Sequence, residues 1–367
     1  MSTHVAVFTD SYLPTVNGIS YTIRSWAERW NREYGRMDVV YPGHPDYDPA
    51  ETEHPIPATD FPFYEGYRAG VPWVPEAVRS PDIIHVHSLA PVGFVGALYG
   101  RLRGLPVVAT YHTPVNKYAE YIVGESPLAS PLQWGLQRQE RIALALADQA
   151  VVPSTDTKTY LETTIGTGTP VTVLSNGIDL QRFPPDAKAD FEWAETDRPI
   201  VGYTGRHGHE KNLPLLLDAA AEMTRDPLVV FGGDGPARDS LEQQAASLDI
   251  ETRFLGFLPA ERLPALYSAF DVFGFPSPIE TEGRVAMEAI ACGTPVVGAD
   301  AGAIPDTVTD GVNGHLFASG DATAFASALE RALDDQQSLQ SGCLDTRSDF
   351  DISTTLEKLS RLYDAVR

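Results

Sequence analysis

Residues 275–298 read Phe275-Pro-Ser-Pro-Ile-Glu-Thr-Glu-Gly-Arg-Val-Ala-Met-Glu-Ala-Ile-Ala-Cys-Gly-Thr-Pro-Val-Val-Gly298 and predict a loop, a helix, a turn and a strand. Helix-forming residues run from Val285 to Cys292, and Gly293 stands where a left-handed C-cap glycine is expected. Thr294-Pro295 ends the helix, and the apolar residues that follow predict a short buried strand.

The start of this helix suits an anionic ligand. Gly283 lets a ligand approach the N–H groups of the first turn closely, and the helix dipole favours negative charge there. Glu288 follows about 7.5 Å further along the axis, and an acid within an apolar helix needs a partner. Glu280 precedes the helix in the loop. The pattern suits a ligand with a phosphate at the helix start and sugar hydroxyls on both sides.

The same stretch resembles a known family. Glu280 and Glu288 are separated by seven residues, and the string around them resembles the E-x7-E motif of retaining nucleotide-sugar glycosyltransferases of family 4. The resemblance implies that Glu288 binds the ribose hydroxyls and that Glu280 binds hydroxyls of the donor sugar. It also implies that the backbone after Gly283, at Arg284 and Val285, holds the donor diphosphate.

One position departs from the family pattern. Glu282 stands where the family usually has an aromatic or an amide residue. Beside a bound diphosphate, a carboxylate would be repelled unless it points away or meets Arg284. The sequence leaves both arrangements open.

Length and charge limit the classes of protein to consider. A chain of 367 residues is too long for one hydrophobic core, so two domains are expected. The chain has 27 basic and 50 acidic residues, a net charge of −23, and few of the basic residues are lysines. This balance is typical of an acidic, solvated surface in a salt-rich, halophilic cytoplasm. It argues against nucleic-acid binding and weakens electrostatic docking to an anionic membrane.

The sequence indicates a cytoplasmic protein. No stretch is long enough to span a bilayer, and the chain runs directly into the strand-like Val5-Ala-Val-Phe8, so no signal peptide is expected. Cys292 and Cys343 lie in different settings, which argues against a disulfide framework and for a reducing compartment. Peripheral contact with the inner face of the cell membrane is a weaker expectation.

Strands alternate with helices in both halves of the chain, which predicts parallel βαβ units. Residues 43–75 are expected to be irregular, and residues 180–198 to form a linker. The fold class is therefore α/β, with two Rossmann-like parallel-sheet domains facing across a cleft, the GT-B fold. In the family the last helix returns to the first domain. The predicted domains are accordingly 1–180 plus 352–367, which binds the acceptor, and 181–351, which binds the nucleotide-sugar.

Two loops of the first half match the family. Phe8-Thr-Asp-Ser-Tyr-Leu-Pro-Thr-Val-Asn-Gly-Ile-Ser20 resembles its N-terminal signature, which implies that Gly18 lies near the donor diphosphate. The alternative is a simple left-handed turn glycine. His112 ends a strand in Thr110-Tyr-His-Thr113, and the resemblance implies that it faces the donor sugar near its primary hydroxyl. The alternative is a core or capping histidine.

A loop of the second half carries two cations after a strand. Arg206 and Lys211, in Gly205-Arg-His-Gly-His-Glu-Lys-Asn212, would clamp a diphosphate as a fork and a point charge. Cations held there stabilise the charge that grows on the diphosphate in the transition state. The string also resembles the family's Gly-Arg…Glu-Lys-Asn pattern. A solvated loop is the alternative. Gly232-Gly-Asp-Gly-Pro236 lacks the third glycine of a dinucleotide fingerprint and predicts a tight turn near the nucleotide.

Neither a metal nor another cofactor is expected. His85 and His87, like His207 and His209, have strand-like spacing, but no cysteine and no clear third carboxylate ligand accompanies either pair. Arg206, Lys211 and the helix start would replace a divalent ion.

The family resemblance implies transfer with retention, with Glu280, His112, Arg206 and Lys211 in catalytic positions. No carboxylates are placed as in a double-displacement hydrolase. The leaving diphosphate oxygen would accept the acceptor's proton, while the protein supplies orientation and electrostatics.

The acceptor is expected to be a membrane lipid or a lipid-linked glycan. Residues 110–122 resemble the loop of members that glycosylate lipids, such as diacylglycerol glycosyl-, sulfoquinovosyl- and phosphatidylinositol mannosyltransferases. Residues 61–74 are aromatic and nearly uncharged, and would touch a bilayer, line an acceptor groove or pack on themselves.

Three other functions share part of this sequence pattern. A nucleotide-sugar epimerase shares the fold, but the full E-x7-E string argues against it. A dinucleotide oxidoreductase needs a glycine fingerprint that is absent. A non-catalytic sugar-nucleotide-binding protein would lose Glu280, Arg206 or Lys211, which are all present. The sequence leaves open whether the donor base is uracil, guanine or another, and leaves the sugar and the oligomeric state open too.

Overall fold

The computed structural model describes residues 3–15, 17–60, 68–112, 129–185, 187–188 and 190–367. The chain divides into two compact units. Met1–Asn176 and Ser353–Arg367 form the first, and Gly177–Ile352 forms the second. The sequence places these boundaries at 180 and 352, and the structure places them at 176 and 353.

Within the described residues, the first unit contains a sheet of seven parallel strands in the order β3-β2-β1-β6-β7-β8-β9. Its strands, together with the antiparallel pair β4–β5, are β1 (Thr3–Phe8), β2 (Gly35–Pro42), β3 (Glu53–Ile56), β4 (Ala58–Asp60), β5 (Arg68–Gly70), β6 (Ile83–Val86), β7 (Val107–Thr110), β8 (Gln149–Val152) and β9 (Val171–Val173). The helices of the first half are α1 (Gly18–Glu33), α2 (Pro91–Arg103), α3 (Ala129–Leu144) and α4 (Thr155–Tyr160).

Over the ranges described, the second unit contains six parallel strands in the order β12-β11-β10-β13-β14-β15. They are β10 (Ile200–Thr204), β11 (Leu228–Gly232), β12 (Thr252–Phe254), β13 (Val272–Phe275), β14 (Val296–Ala299) and β15 (Gly314–Phe317). Its helices are α5 (Pro214–Glu222), α6 (Arg238–Ser247), α7 (Leu263–Ser268), α8 (Arg284–Ala291), α9 (Ile304–Thr307), α10 (Ala322–Asp334) and α11 (Gln336–Thr346). The last helix, α12 (Ile352–Val366), packs in the first unit.

Burial on both faces explains the continuous apolar strands. Val5-Ala-Val-Phe8 in β1 and Val229-Val-Phe231 in β11 are fully buried, as expected for parallel sheets covered by helices. Helix α1 buries Trp26 and Trp30 on one side, and Trp30 meets the Tyr363 ring of α12 edge-on at 5.3 Å. The predicted α/β fold with two Rossmann-like sheets is confirmed.

Several elements differ from the prediction. The stretch 43–75 contains β3, which joins the edge of the sheet, and the short pair β4–β5. Strands of three or four partly exposed residues carry too little alternation to be seen in a sequence. Helix α11 was also missed, because only Leu339 and Cys343 of its residues are buried and no apolar stripe marks it.

Two stretches discussed above lie partly outside the described residues. Residues 61–67 of the aromatic segment and residues 113–128 of the loop after His112 are not described. Of the aromatic segment, Val71 and Trp73 are each 57% exposed. In the part of the chain that is described, no helix combines the length and the apolar character needed to cross a bilayer.

A buried carboxylate ties together three neighbouring strands. Asp38 of β2 lies with its Oδ2 2.6 Å from His4 Nε2 of β1 and its Oδ1 2.8 Å from His54 Nε2 of β3. Arg36 donates from Nε and Nη2 to the same carboxylate. Burial alone would raise the pKa of the Asp38 carboxyl, but the hydrogen bonds outweigh it and hold the pKa well below its usual range.

Asp38→Asn should therefore destabilise the first unit at neutral pH by roughly 2–3 kcal/mol, since hydrogen bonds to a charged group are lost. A carboxyl with a depressed folded pKa contributes stability above its unfolded pKa of about 4, and loses it as the pH falls towards the folded pKa. The difference in the free energy of unfolding between wild type and Asp38→Asn should accordingly become smaller below about pH 4.

Urea unfolding midpoints followed at pH 7 and pH 3.5 measure both effects. Asp46→Asn is the matched control, because Asp46 lies 3.8 Å from His44 but is exposed. If both variants lowered the urea midpoint at pH 7 by the same amount, the proposed contribution of Asp38 to stability would be wrong.

Candidate active site

Two predicted donor-site cations follow strand β10. Gly205 has φ 134°, and its N–H donates to Gly232 O at 3.0 Å, which joins the loops after β10 and β11. Arg206 is 58% exposed, and its Nη1 lies 3.2 Å from Glu210 Oε1. Lys211 closes a 3-10 turn that ends at the left-handed Asn212. The turn redirects the chain so that Lys211 lies next to the loop after β13.

Lys211 and Glu280 form a direct ion pair. Lys211 Nζ lies 2.5 Å from Glu280 Oε1, with the two side chains only 18% and 11% exposed. The sequence proposes both residues for the site, and the structure brings them into contact. Because the ammonium and the carboxylate lie side by side, one ligand can contact both of them. An anionic group of the ligand would meet Lys211, and a hydroxyl group would meet Glu280.

The backbone of Glu280 is held by a turn that sequence reasoning missed. Ala303 N–H donates to Glu280 O at 3.1 Å. Gly302 has φ 56°, and a Cβ at this position would lie 2.9 Å from both Glu280 N and Glu280 O. Only glycine permits this approach, so Gly302 positions Glu280. The sequence signal was the Ala-Gly-Ala turn after β14, which carries no polar group.

Helix α8 begins as predicted, at a glycine. Gly283 has φ 75° and is the N-cap, and no side chain among the described residues caps the helix. A Cβ on Gly283 would lie 3.0 Å from Ile304 Cδ1 and 3.1 Å from Phe275 Cε1. Arg284 and Val285, in the first turn, are half-buried. The first turn thus has the geometry that suits an anion.

Glu288 is half-buried and belongs to a hydrogen-bond network with two buried side chains. Tyr267 Oη donates to Glu288 Oε2 at 2.8 Å and lies 2.7 Å from Thr204 Oγ1. Burial raises the pKa of the Glu288 carboxyl, while the charges of Arg284 and Arg182 and the bond from Tyr267 oppose that rise. The partner that the sequence required for this acid is therefore a tyrosine on α7.

Glu282 is buried, and its backbone carbonyl accepts a hydrogen bond from the Thr307 hydroxyl at 3.3 Å. This hydrogen bond ties the backbone of Glu282 to α9. Burial of Glu282 is compatible with both arrangements left open by the sequence.

In the first unit, Gly18 is the first residue of α1. Its backbone is helical and exposed, so the alternative of a left-handed turn glycine is wrong. The side chain of Asn17 accepts from Ser20 N at 2.9 Å, and Ser20 Oγ accepts from Asn17 N at 3.1 Å. This capping box provides acceptors for two backbone N–H groups at the start of α1 and fixes the direction of the helix.

The loop after β1 carries a buried acid that contacts the start of α2. Asp10 follows β1 and caps α2, because Val92 N and Gly93 N donate to its carboxylate at 3.0 and 3.2 Å. Ser88 Oγ donates to the same group. Burial raises the pKa of Asp10, although these bonds oppose it. Asp10 thus holds the loop that leads to Gly18.

His112 is 8% exposed and contacts another histidine. Its Nε2 lies 2.9 Å from His87 Nδ1. Burial lowers the pKa of His87 well below its usual value, so His87 is a neutral imidazole. His112 is thus anchored in the interior, and its Nε2 is already engaged. This pairing was not visible in the sequence, where His87 was considered only as a metal ligand.

His85 is satisfied within the protein core. Its Nδ1 lies 2.5 Å from Tyr363 Oη and its Nε2 2.7 Å from Thr110 Oγ1. Burial lowers the pKa of His85 to about 3. His207 is also fully buried. Across the described ranges, no group of three or more His, Cys, Asp or Glu side chains could hold a metal ion.

The structure thus groups the candidate residues by unit. Lys211, Glu280 and the start of α8 lie together at the strand ends of the second unit, with Glu288 further along α8. Arg206 belongs to the same loop as Lys211 but extends into solvent. Gly18 and His112 belong to the first unit.

Two family models match the chain. A model described as Glycosyltransferase Family 4 matches residues 16–182, and one described as Glycosyl transferases group 1 matches residues 186–344.

Relatives and solved structures agree with these models. A GDP-mannose-dependent alpha-mannosyltransferase from Mycobacterium tuberculosis is 32% identical over 333 residues, which are 86% of this chain and 84% of that protein. A sulfoquinovosyl transferase from Arabidopsis thaliana is 31% identical over 266 residues, which are 70% of this chain and 51% of that protein. Sucrose-phosphate synthase from Thermosynechococcus elongatus has the same fold, with a TM-score of 0.78 at 23% identity over 99% of this chain and 98% of that one. Because sequence matches of this extent run through both compact units, the chain belongs to glycosyltransferase family 4 and is a hexosyltransferase with the GT-B fold.

Proposed function

We propose that this enzyme transfers a hexose with retention from a nucleoside-diphosphate sugar to a hydroxyl of a membrane lipid or a lipid-linked glycan. The observation that carries the proposal is the Lys211–Glu280 pair, 2.5 Å apart, in the same unit as the uncapped start of α8. It combines a cation for a phosphate with a carboxylate for sugar hydroxyls.

The electrostatics of these residues suit a diphosphate leaving group. As the bond between the anomeric carbon and the diphosphate breaks, negative charge grows on the phosphate oxygen. Lys211, Arg206 and the N–H groups at the start of α8 supply positive charge at that point. No metal or other cofactor is needed in this proposal. Until the donor arrives, Glu280 neutralises Lys211 and keeps its ammonium in place.

Retention follows from the same arrangement in this proposal. The acceptor oxygen forms its bond to the anomeric carbon on the face from which the diphosphate leaves. The acceptor's proton passes to the leaving phosphate oxygen, so no carboxylate nucleophile is required. Glu280 is then a ligand of the donor sugar, and His112 contacts the same sugar.

GDP-mannose is the donor that we propose. The relative from Mycobacterium tuberculosis acts with GDP-mannose, and the similarity to it extends over 84% of its length. Glu288 would bind the ribose of the nucleotide, which is common to every candidate base.

A lipid acceptor is supported by the resemblance of residues 110–122 to lipid-glycosylating members of the family. The exposed side chains of Val71 and Trp73 offer apolar contact beside the first unit's small β4–β5 pair. Peripheral contact with a membrane would bring such an acceptor to the enzyme.

A donor screen by thermal shift at high salt tests the nucleotide site. GDP and GDP-mannose should raise the melting temperature, since a ligand at a hundred times its Kd adds about 2.7 kcal/mol of stability. UDP, ADP and their sugars should raise it less, and EDTA should leave the shift unchanged. If none of the nucleotides shifts the transition, the proposed donor site is wrong. A larger shift with UDP would correct the base alone.

Lys211→Ala and Arg206→Ala should each lower kcat/KM at least tenfold, about 1.4 kcal/mol of transition-state stabilisation, and leave the protein folded. Steady-state transfer rates and the anomeric configuration of the product, read by NMR, are the measurements. Lys158→Ala is the matched control, because Lys158 is a surface lysine on α4 that lies 3.9 Å from Glu162. Wild-type rates in both site variants would overturn the diphosphate assignment.

Liposome flotation at high salt tests membrane contact. The enzyme should float with phosphatidylcholine vesicles, with or without phosphatidylglycerol, and Trp73→Ser should lower the bound fraction several-fold, since its apolar burial is lost. Trp134→Ser serves as the control, because this tryptophan of α3 is similarly exposed. Absence of binding to any mixture would remove the membrane part of the proposal.

A further inference from the structure

The hydroxyl of Tyr267 connects three elements of the donor site. Tyr267 lies on α7 and is fully buried. Its Oη is 2.8 Å from Glu288 Oε2 on α8 and 2.7 Å from Thr204 Oγ1, at the end of β10. The Thr294 hydroxyl, after α8, donates to Tyr267 O at 2.7 Å. A buried tyrosine held at both its backbone and its hydroxyl is a rigid support.

We propose that Tyr267 is a positioning residue that fixes the Glu288 carboxylate by one oxygen and so leaves the other for the ribose hydroxyls of the nucleotide. This inference rests on the proposed function, because it assumes that Glu288 meets the ribose. It assigns a role to a residue outside the E-x7-E motif. It also explains why Glu288 would bind a nucleotide with both ribose hydroxyls more tightly than one without them.

The direction of the hydrogen bonds follows from the number of protons. A phenol has one proton, and a carboxylate can only accept. If Tyr267 donates to Glu288, the Thr204 hydroxyl must donate to Tyr267 Oη. The hydrogen bonds therefore all point in one direction, from Thr204 through Tyr267 to Glu288. Thr204 directly precedes the loop of Arg206, so the ribose ligand and the phosphate loop share one support.

The second carboxylate oxygen of Glu288 remains for a ligand. Within the described part of the chain, Glu288 Oε1 has no hydrogen-bond partner, whereas Oε2 is taken by Tyr267. One carboxylate oxygen has two lone pairs and can accept from two neighbouring hydroxyls at once. The 2′- and 3′-hydroxyls of a ribose form such a pair.

The charges around Glu288 make its ionisation depend on Tyr267. Arg284 on α8 and Arg182, which precedes β10, favour the charged carboxylate, as does the bond from Tyr267, while burial opposes it. Cys292, the C-cap residue of α8, is neutral, because burial and Glu288 raise the pKa of its thiol to about 12. Burial also raises the pKa of Tyr267 well above its usual value, so the phenol stays a donor. Removing this donor should raise the pKa of Glu288 further.

The test compares Tyr267→Phe with wild type by calorimetric titration with GDP and with 2′,3′-dideoxy-GDP, or with the UDP pair if the donor screen selects uracil. Wild type should bind the ribose form about tenfold or more tightly than the dideoxy form. In Tyr267→Phe this preference should fall at least threefold, through weaker binding of the ribose form alone. The acid limb of its GDP affinity should also move to higher pH. Tyr363→Phe, which removes another buried tyrosine hydroxyl, should keep the wild-type preference.

Each other result overturns the inference and identifies what failed. Equal weakening of both ligands in Tyr267→Phe would mean that this residue acts only on the fold. An unchanged preference would mean that Tyr267 does not position Glu288. A wild type without preference for ribose would remove Glu288 from the ribose site as well, although nucleotide binding in the donor screen would still stand.

Discussion

Burial of each sheet on both faces is the constraint on which the rest of the structure depends. Strands such as Val229-Val-Phe231 have no exposed face, so they cannot carry ionisable groups without a cost. Asp38 and His85 lie inside strands only with several hydrogen-bond partners, whereas the candidate site residues of the second unit lie at strand ends and helix starts, where the backbone turns. Lys211 and Glu280 meet there, and the α8 helix starts there. The candidate site residues of the second unit therefore lie where its parallel sheet stops.

Close contacts between backbones fix the positions of the loops at the strand ends of the second unit. A Cβ on Gly233 would lie 2.1 Å from Gly205 O, and one on Gly302 would lie 2.9 Å from Glu280 N and O. Neighbouring loops are thus locked together without side chains between them. This leaves Lys211 and Glu280 to face each other with few alternative arrangements, and less conformational entropy is lost when a ligand binds.

The features that could be predicted from the sequence are those that depend on residues close together in the chain. The order of strands and helices and the start of α8 at Gly283 follow from contiguous residues, as does the spacing of Glu280 and Glu288. The contacts of Tyr267, Gly302 and His87 could not be predicted, since each joins residues that are distant in the sequence. Tyr267 meets Glu288 from another helix, and His87 meets His112 from another strand. Helix α11 was missed for a different reason, since its apolar residues are too few to form a pattern.

Helix α12 has a consequence for how the protein is made. It follows the second unit in the sequence, yet Tyr363 is fully buried in the first unit, bonded to His85 and packed against Trp30. The first unit therefore lacks part of its core until the ribosome has synthesised the last helix. The second unit is contiguous, from Gly177 to Ile352, and has all its own residues earlier. The first unit thus completes its core only after the second unit has been synthesised, and its open core is exposed to aggregation until then.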